Sequence, residues 1–287
     1  MELALPITVY WDLALCTQPD ASLPGICDEI LACRPLMLQL YDPSPIQGDG
    51  VRAILERFRG EPLSVSLTVH PSYLNSLGGI TPKELGVKEL LVACDGLEVV
   101  KNIPVRAETG ISFFVNRENW RDLPAVVSVC AERGISRLVL PMQRLYNGEE
   151  PFLLSRDEQE LLASSIAAVG GVSSLSLTIH DPFLWRAFNP GMPFPQAGCQ
   201  AANTMIALSP DGGVYPCPTL PYRLGEIGSA SLKEIITSPA KKELRKRILL
   251  HPAACSACDE VAICRGGCRG RSYVLHESFD DVDDACR

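Results

Sequence analysis

The sequence carries little charge for its length and no basic surplus. Of 287 residues 21% are charged, 34 acidic against 26 basic, for a formal net charge of −8. That balance argues against nucleic acid as the main partner, because phosphate binding wants a basic face. No apolar run reaches the ~18 residues of a membrane span. The opening Met1-Glu2-Leu3-Ala4-Leu5-Pro6 lacks the basic n-region of a secretory signal. Established catalytic signatures are missing as well: there is no G-x-x-x-x-G-K-[ST], no G-x-S-x-G and no H-E-x-x-H. The 46% hydrophobic content excludes a mainly disordered chain. The length suits one large domain or a medium one with a small one attached. These absences point to a cytoplasmic protein, in which thiols stay reduced. There, 12 cysteines indicate metal or redox chemistry rather than disulfides.

The cysteines fall unevenly. Cys16, Cys27, Cys33, Cys94 and Cys130 are scattered, whereas Cys199, Cys217, Cys255, Cys258, Cys264, Cys268 and Cys286 crowd into the C-terminal part. The Pro/Gly-rich segment Asn189-Pro190-Gly191-Met192-Pro193-Phe194-Pro195 separates two textures and predicts a boundary. The expected domains are residues 1–190 and 191–287.

In the first region, the apolar runs Ile7–Leu15, Leu36–Tyr41, Leu63–Val69, Leu90–Ala93, Ile111–Val115, Arg137–Pro141 and Leu175–Ile179 read as buried strands. Helix signals lie between them. Val51, Ile54, Leu55 and Phe58 form one apolar face. Thr81-Pro82-Lys83-Glu84 and Ser155-Arg156-Asp157-Glu158 are capping boxes, and Glu118–Arg133 runs into a C-capping Gly134. Near-continuous apolar strands alternating with helices predict a parallel sheet covered on both faces. Six or seven such units suggest an α/β fold, a partial (β/α)6-type barrel. Its strand ends carry Asp42, His70, Asp95, Asn116, Gln143 and His180. They read as a polar rim or, more simply, as caps and turn residues. Trp11, Trp120 and Trp185 read as core.

The C-terminal part has a more specific signal. Cys255-x2-Cys258-x5-Cys264-x3-Cys268 packs four thiols into a short segment, with Gly266-Gly267 allowing a tight turn. Upstream, 204–217 reads as a hairpin around Pro210-Asp211-Gly212-Gly213, with Cys217 on the return strand. Cys286 lies where a free end can fold back. With one C-x2-C pair only, the array is unlike zinc ribbons, and it suits iron–sulfur clusters better than zinc or disulfides. The basic run Lys241–Arg247 reads as a solvated helix face. The acidic tail Asp280, Asp281, Asp283 and Asp284 reads as its partner or as a solubilising end.

The whole pattern, Cys199-x12-Gly212-x4-Cys217, then Cys255, Cys258, Cys264, Cys268 and Cys286, resembles the SPASM domain of many radical SAM enzymes. Leu224–Ile227 and Ser231–Ile235 look like that family too. The resemblance implies a small cysteine-rich domain with a β-hairpin and helices, holding two auxiliary [4Fe-4S] clusters. Cys255, Cys258, Cys264 and Cys286 would hold the second cluster, and Cys199, Cys217 and Cys268 the first. The further cysteine that family members carry shortly after the position of Cys199 is absent. The first cluster is thus left with an open iron site, a non-cysteine ligand or lower occupancy.

The resemblance extends to the barrel, with a departure. Radical SAM enzymes carry Cys-x3-Cys-x2-Cys after the first strand, and this chain has Cys16, Cys27 and Cys33 at wide spacing. The Gly-Gly-Glu motif at the second strand is absent, although Ala93-Cys94-Asp95-Gly96 survives as a family echo. The reading is a degenerate barrel without its catalytic cluster, so S-adenosylmethionine is not expected, and the chain is not expected to be catalytic alone. In this it resembles the SPASM-domain protein of GeoRSP-type peptide-modification systems. That resemblance implies a radical SAM/SPASM enzyme, a small PqqD-type peptide chaperone and a peptide substrate as partners. It also implies an accessory role in electron transfer or substrate holding. The alternatives left open are a redox-silent peptide-binding scaffold and an atypical enzyme using Cys16, Cys27 and Cys33.

Overall fold

A computed structural model describes residues 3–13, 23–42, 44–45, 50–76, 81–104, 108–169, 172, 175–194 and 198–286. Seven strands fall where the apolar runs predict them: β1 (Thr8–Asp12), β2 (Met37–Asp42), β3 (Ser64–Val69), β4 (Glu89–Cys94), β5 (Thr109–Phe113), β6 (Arg137–Leu140) and β7 (Ser176–Ile179). Three short ones follow, β8 (Met205–Leu208), β9 (Gly213–Tyr215) and β10 (Gly225–Glu226). The helices of the first part are α1 (Leu23–Cys33), α2 (Gly50–Phe58), α3 (Tyr73–Ser76), α4 (Pro82–Leu85), α5 (Leu97–Asn102), α6 (Leu123–Glu132), α7 (Arg156–Val169) and α8 (Pro182–Phe188). Those of the last part are α9 (Leu232–Thr237), α10 (Pro239–Leu249), α11 (Val261–Cys264) and α12 (Arg269–His276). Among the described residues no helix is long and apolar enough to cross a membrane.

Two compact units divide the chain. The first is built from residues 1–93, 106–109 and 201–245, the second from 94–105, 110–200 and 246–287. In the first unit the strand order is β10-β9-β8-β1-β2-β3-β4. β1 through β4 pair in parallel, with Val9 beside Leu38 and Leu40 beside Leu67. Both faces of these strands are covered, which is why they read as unbroken apolar runs: Val9, Trp11, Leu38 and Leu67 are fully buried. β8 adds to the free edge of β1 in parallel and turns back antiparallel into β9. The turn needs Gly212, whose φ of +81° is open to few other residues. Cys217 does not lie on the return strand. β9 ends at Tyr215, because Pro216 has no N–H to continue the ladder. Cys217 instead starts a turn, accepting the Leu220 amide at 3.3 Å, while the Pro216 carbonyl accepts the Ala202 amide at 2.8 Å.

The sequence reading missed α1, whose Pro24-Gly25 looks like a turn although proline fits a first helical turn. Its buried face is Ile26, Cys27, Ile30 and Cys33, one stripe at helical spacing. Burial pushes the Cys27 and Cys33 thiols up to about 11, so both behave as small hydrophobes rather than as thiolates. Cys16 lies outside the described residues. The basic run also differs from expectation. On α10, Lys241 and Arg245 are buried in line with Leu244 and Ile248. Arg245 Nη1 donates to the Ala201 carbonyl at 3.1 Å, so this face is packed rather than solvated.

The second unit contains the parallel strands β5, β6 and β7. The helix expected over 118–133 starts as a 3-10 turn at Trp120–Asp122 and becomes α6 only where Pro124 occupies the first turn. Several strand-end residues serve local structure. His70 Nδ1 contacts the Ser72 hydroxyl at 2.9 Å, and Asn116 Oδ1 accepts the amides of Glu118 and Asn119. Gln143 bridges its loop to Glu150 and Phe152. Burial first, then the charges of Arg137 and Arg144, push His180 down to about 4, so it stays neutral at physiological pH.

The two α1 thiols provide a test of whether they are core or ligands. Cys27→Ser and Cys33→Ser each bury a hydroxyl in an apolar stripe. Each is expected to lower the unfolding free energy by about 1–3 kcal/mol in urea denaturation, with the iron content of the protein unchanged. Iron loss in either variant would make that cysteine a ligand.

Candidate metal centre

Six of the seven C-terminal cysteines belong to the second unit, several of them in short turns. Cys255 closes a 3-10 turn, Ala253–Cys255, which is tied to the acidic tail by the Ala254 amide donating to the Asp280 carbonyl at 3.1 Å. Cys264 ends α11, and the next three residues, Arg265, Gly266 and Gly267, have φ of +56°, +92° and +65°. Such a run turns successive amides toward one point, a concavity that favours an anion. The amides of Gly266 and Gly267 act on the Cys264 sulfur, favouring its thiolate, although burial, the larger effect, raises its pKa overall. Neither glycine tolerates a side chain: a Cβ at 266 would meet Pro252 at 2.6 Å, and one at 267 would meet Asp283 at 2.7 Å. Cys268 then caps α12, its sulfur accepting the Arg271 amide at 3.5 Å at the positive end of the helix. Burial, the largest effect, raises Cys268 to about 12 even though the charge of Arg271 works against it.

The C-terminus folds back as expected. Cys286 lies in a 3-10 turn, Asp284–Cys286, anchored by Gln159 Nε2 of α7, which donates to the Ala285 carbonyl at 2.6 Å. Ala285 packs with Phe183 and Phe194, and Cys264 and Cys286 lie against that small core. Neighbouring thiols therefore act on Cys255 and on Cys286. The charges of Cys286 and Cys258 act on Cys255, and those of Cys264 and Cys258 act on Cys286. Cys258 is exposed and Cys255 is buried, so the group opens to solvent on one side.

Beneath this loop is a buried ion pair network that the sequence reading missed. Asp283 is fully buried and accepts four N–H bonds: from the Cys268 amide at 2.7 Å, from Arg271 Nε and Nη2 at 2.7 and 2.8 Å, and from the Ala285 amide at 3.2 Å. Arg271 Nη1 donates to the Phe152 carbonyl at 3.1 Å and to Asp181, which also caps α8. Burial works against the Arg271 charge, but Asp181 and Asp283 more than offset it and hold its pKa well above the ordinary value. The acidic tail is thus partly structural, since Asp283 pairs with Arg271 in α12. Arg269, two residues earlier, is equally buried. The charges of Cys199, Cys255, Asp280 and Cys268 act on it, although burial lowers its pKa overall.

Among the described residues no three His, Cys, Asp or Glu side chains approach closely enough to hold a single metal ion. The donor chemistry fits an iron–sulfur cluster: a group of thiols, backbone amides directed at one sulfur, glycines where a Cβ would obstruct, and a buried guanidinium among the thiols. Cys199 follows Gly198 (φ +59°), where a Cβ would meet the Arg265 side chain at 2.7 Å. Cys217 belongs to the first unit, in the turn after β9.

Residues 199–259 match the SPASM family, an iron–sulfur cluster-binding domain. The matched stretch takes in Cys199, Cys217, Cys255 and Cys258. Among solved structures, Streptococcus suis SuiB bound to precursor peptide SuiA is 14% identical with a TM-score of 0.68, covering 99% of this chain and 76% of that one. SuiB bound to S-adenosylmethionine is 13% identical with a TM-score of 0.64, over 99% and 77%. Native anSMEcpe with bound AdoMet is 16% identical with a TM-score of 0.63, over 98% and 94%. At these identities the likeness is one of fold, the mixed α/β architecture with a parallel sheet found in radical SAM enzymes that carry a SPASM domain.

The network under the loop provides a second test. Asp283→Ala leaves a buried guanidinium short of a partner and the Cys268 amide without its acceptor. It is expected to cost about 3–5 kcal/mol in chemical denaturation. A loss below about 1 kcal/mol, within the range of an exposed pair, would show that Asp181 suffices.

Proposed function

We propose that this chain is an accessory iron–sulfur protein that works beside a radical SAM enzyme in peptide or protein maturation. Cys255, Cys258, Cys264 and Cys286 hold one [4Fe-4S] cluster. Cys199, Cys217 and Cys268 hold another, which is one cysteine short. When bound, such clusters supply one-electron transfer at a potential set by their surroundings. The chain's own residues supply the thiolates, the Gly266 and Gly267 amides that act on Cys264, and a network through Asp283 that fixes Cys268.

The observation that carries this reading is the SPASM match over residues 199–259, supported by Cys258 acting electrostatically on both Cys255 and Cys286 and by Cys264 acting on Cys286. Loss of the catalytic cluster is read from the spacing of Cys16, Cys27 and Cys33, and from the burial of Cys27 and Cys33 in the apolar stripe of α1. The solved structure of SuiB with a precursor peptide supports a peptide substrate. In the same reading the boundary lies near residue 190, the protein is cytoplasmic, a PqqD-type chaperone delivers the peptide, and S-adenosylmethionine is cleaved by the partner.

Anaerobic reconstitution followed by iron and sulfide analysis tests the reading. About eight irons and eight sulfides per chain are expected, four of each for either cluster. Zinc without labile sulfide would overturn it. Reductive cleavage of S-adenosylmethionine by the isolated chain, abolished by Cys16→Ala, would overturn the accessory assignment while leaving the clusters in place.

A further inference from the structure

Two arginines of α12 are almost completely buried, and they are treated differently. Every guanidinium nitrogen of Arg271 has an acceptor: Nε and Nη2 on Asp283, Nη1 on Asp181 and the Phe152 carbonyl. Arg269 is 1% exposed, and of its guanidinium only Nη2 has a protein acceptor, the Phe279 carbonyl. Its Nε and Nη1 are buried with no hydrogen-bond partner among the described residues. A guanidinium cannot shed its proton to escape this, and an unpaired buried cation is among the most costly groups a protein can contain. Those two donors call for an acceptor that the described residues do not supply, and for a buried cation an anion is the most favourable one.

The surroundings identify that anion by its chemistry. The acidic groups that act on Arg269 are Cys199, Cys255, Asp280 and Cys268, so three of the four are thiols. They come from both cysteine sets, Cys255 from one, Cys199 and Cys268 from the other. The backbone keeps the approach open: at Gly266 a Cβ would stand 2.9 Å from Nη1. Any side chain there would come between the guanidinium and the glycine turn. Resting on the two-cluster reading above, we propose that Arg269 is the shared cation of both centres, donating through Nε and Nη1 to cluster or cysteinyl sulfur. Hydrogen bonds to sulfur and local charge are the protein's means of setting a cluster's potential. A cation common to two clusters favours the reduced, more negative state of each. It therefore holds both potentials above the values they would have without it.

The test is an EPR-monitored potentiometric titration of the reconstituted full chain, compared with R269K, R269M and G266A, with iron and sulfide measured on each. R269M is expected to keep its clusters and to shift both midpoint potentials to more negative values. R269K, which keeps the charge but loses the planar fork, is expected to fall between. G266A crowds Nη1 but also presses on Pro252 and the turn after Cys264, so at wild-type iron content it is expected to shift in the same direction as R269K. Unchanged potentials in R269M at full iron content overturn the proposal, and a shift confined to one centre overturns the sharing. If R269M does not hold iron, R269K decides: wild-type potentials in it overturn the proposal. Wild-type chain without iron and sulfide would instead be a failure of the two-cluster reading itself.

Discussion

Asp283 organises the C-terminal third of the second unit. One buried carboxylate receives the amide of Cys268 and two donors of Arg271, and Arg271 in turn reaches Asp181 at the start of α8. The acidic tail, the N-terminus of α12 and the N-cap of α8 are thereby locked to one another. The last turn of the chain can be placed only when this network is made, because the Ala285 amide also donates to Asp283 and the Cys286 amide to its carbonyl. A buried ion pair of this kind is poor evidence of net stability, since desolvation offsets much of the attraction. Its effect is geometric, in that it brings a cysteine at position 286 back to cysteines at 255, 258 and 264.

Gathering thiols in this way has an electrostatic cost. Burial raises the pKa of Cys255 and of Cys286, and neighbouring thiolates raise both further. The fold offsets this with what the sequence allows locally. The Gly266 and Gly267 amides of a left-handed turn act on Cys264, the N-terminus of α12 faces Cys268, and a guanidinium with two unpartnered nitrogens is acted on by Cys199, Cys255 and Cys268. Gly266 and Gly267 serve both purposes. They adopt positive φ at no steric cost, and they leave space that a Cβ would close.

Much of this was legible in the sequence wherever the signal is local. Buried parallel strands announce themselves as apolar runs, and the Thr81 and Ser231 capping boxes form as their side-chain spacing dictates. The cysteine spacing carried the SPASM resemblance because ligand geometry fixes short intervals. What stayed hidden depends on partners far apart in sequence or on signals that point two ways. Asp283, Arg271 and Asp181 are ordinary charged residues until the fold brings them together, and Arg269 looks like any basic residue after a cysteine. Lys241 and Arg245 share a helix face with Leu244 and Ile248, a stripe concealed by the charge of the surrounding run. The start of α1 resembled a turn, so the apolar stripe that encloses Cys27 and Cys33 went unread.

The central claim is that Cys255, Cys258, Cys264 and Cys286 bind one four-iron cluster as a set. Mössbauer spectroscopy of the chain reconstituted with isotopically enriched iron, wild type against Cys286→Ala, tests it directly. The account requires two cluster components in the wild type, one of them lost or converted by the substitution while the other persists. A spectrum unchanged by the loss of Cys286, or one in which no cluster component forms in either protein, would contradict it.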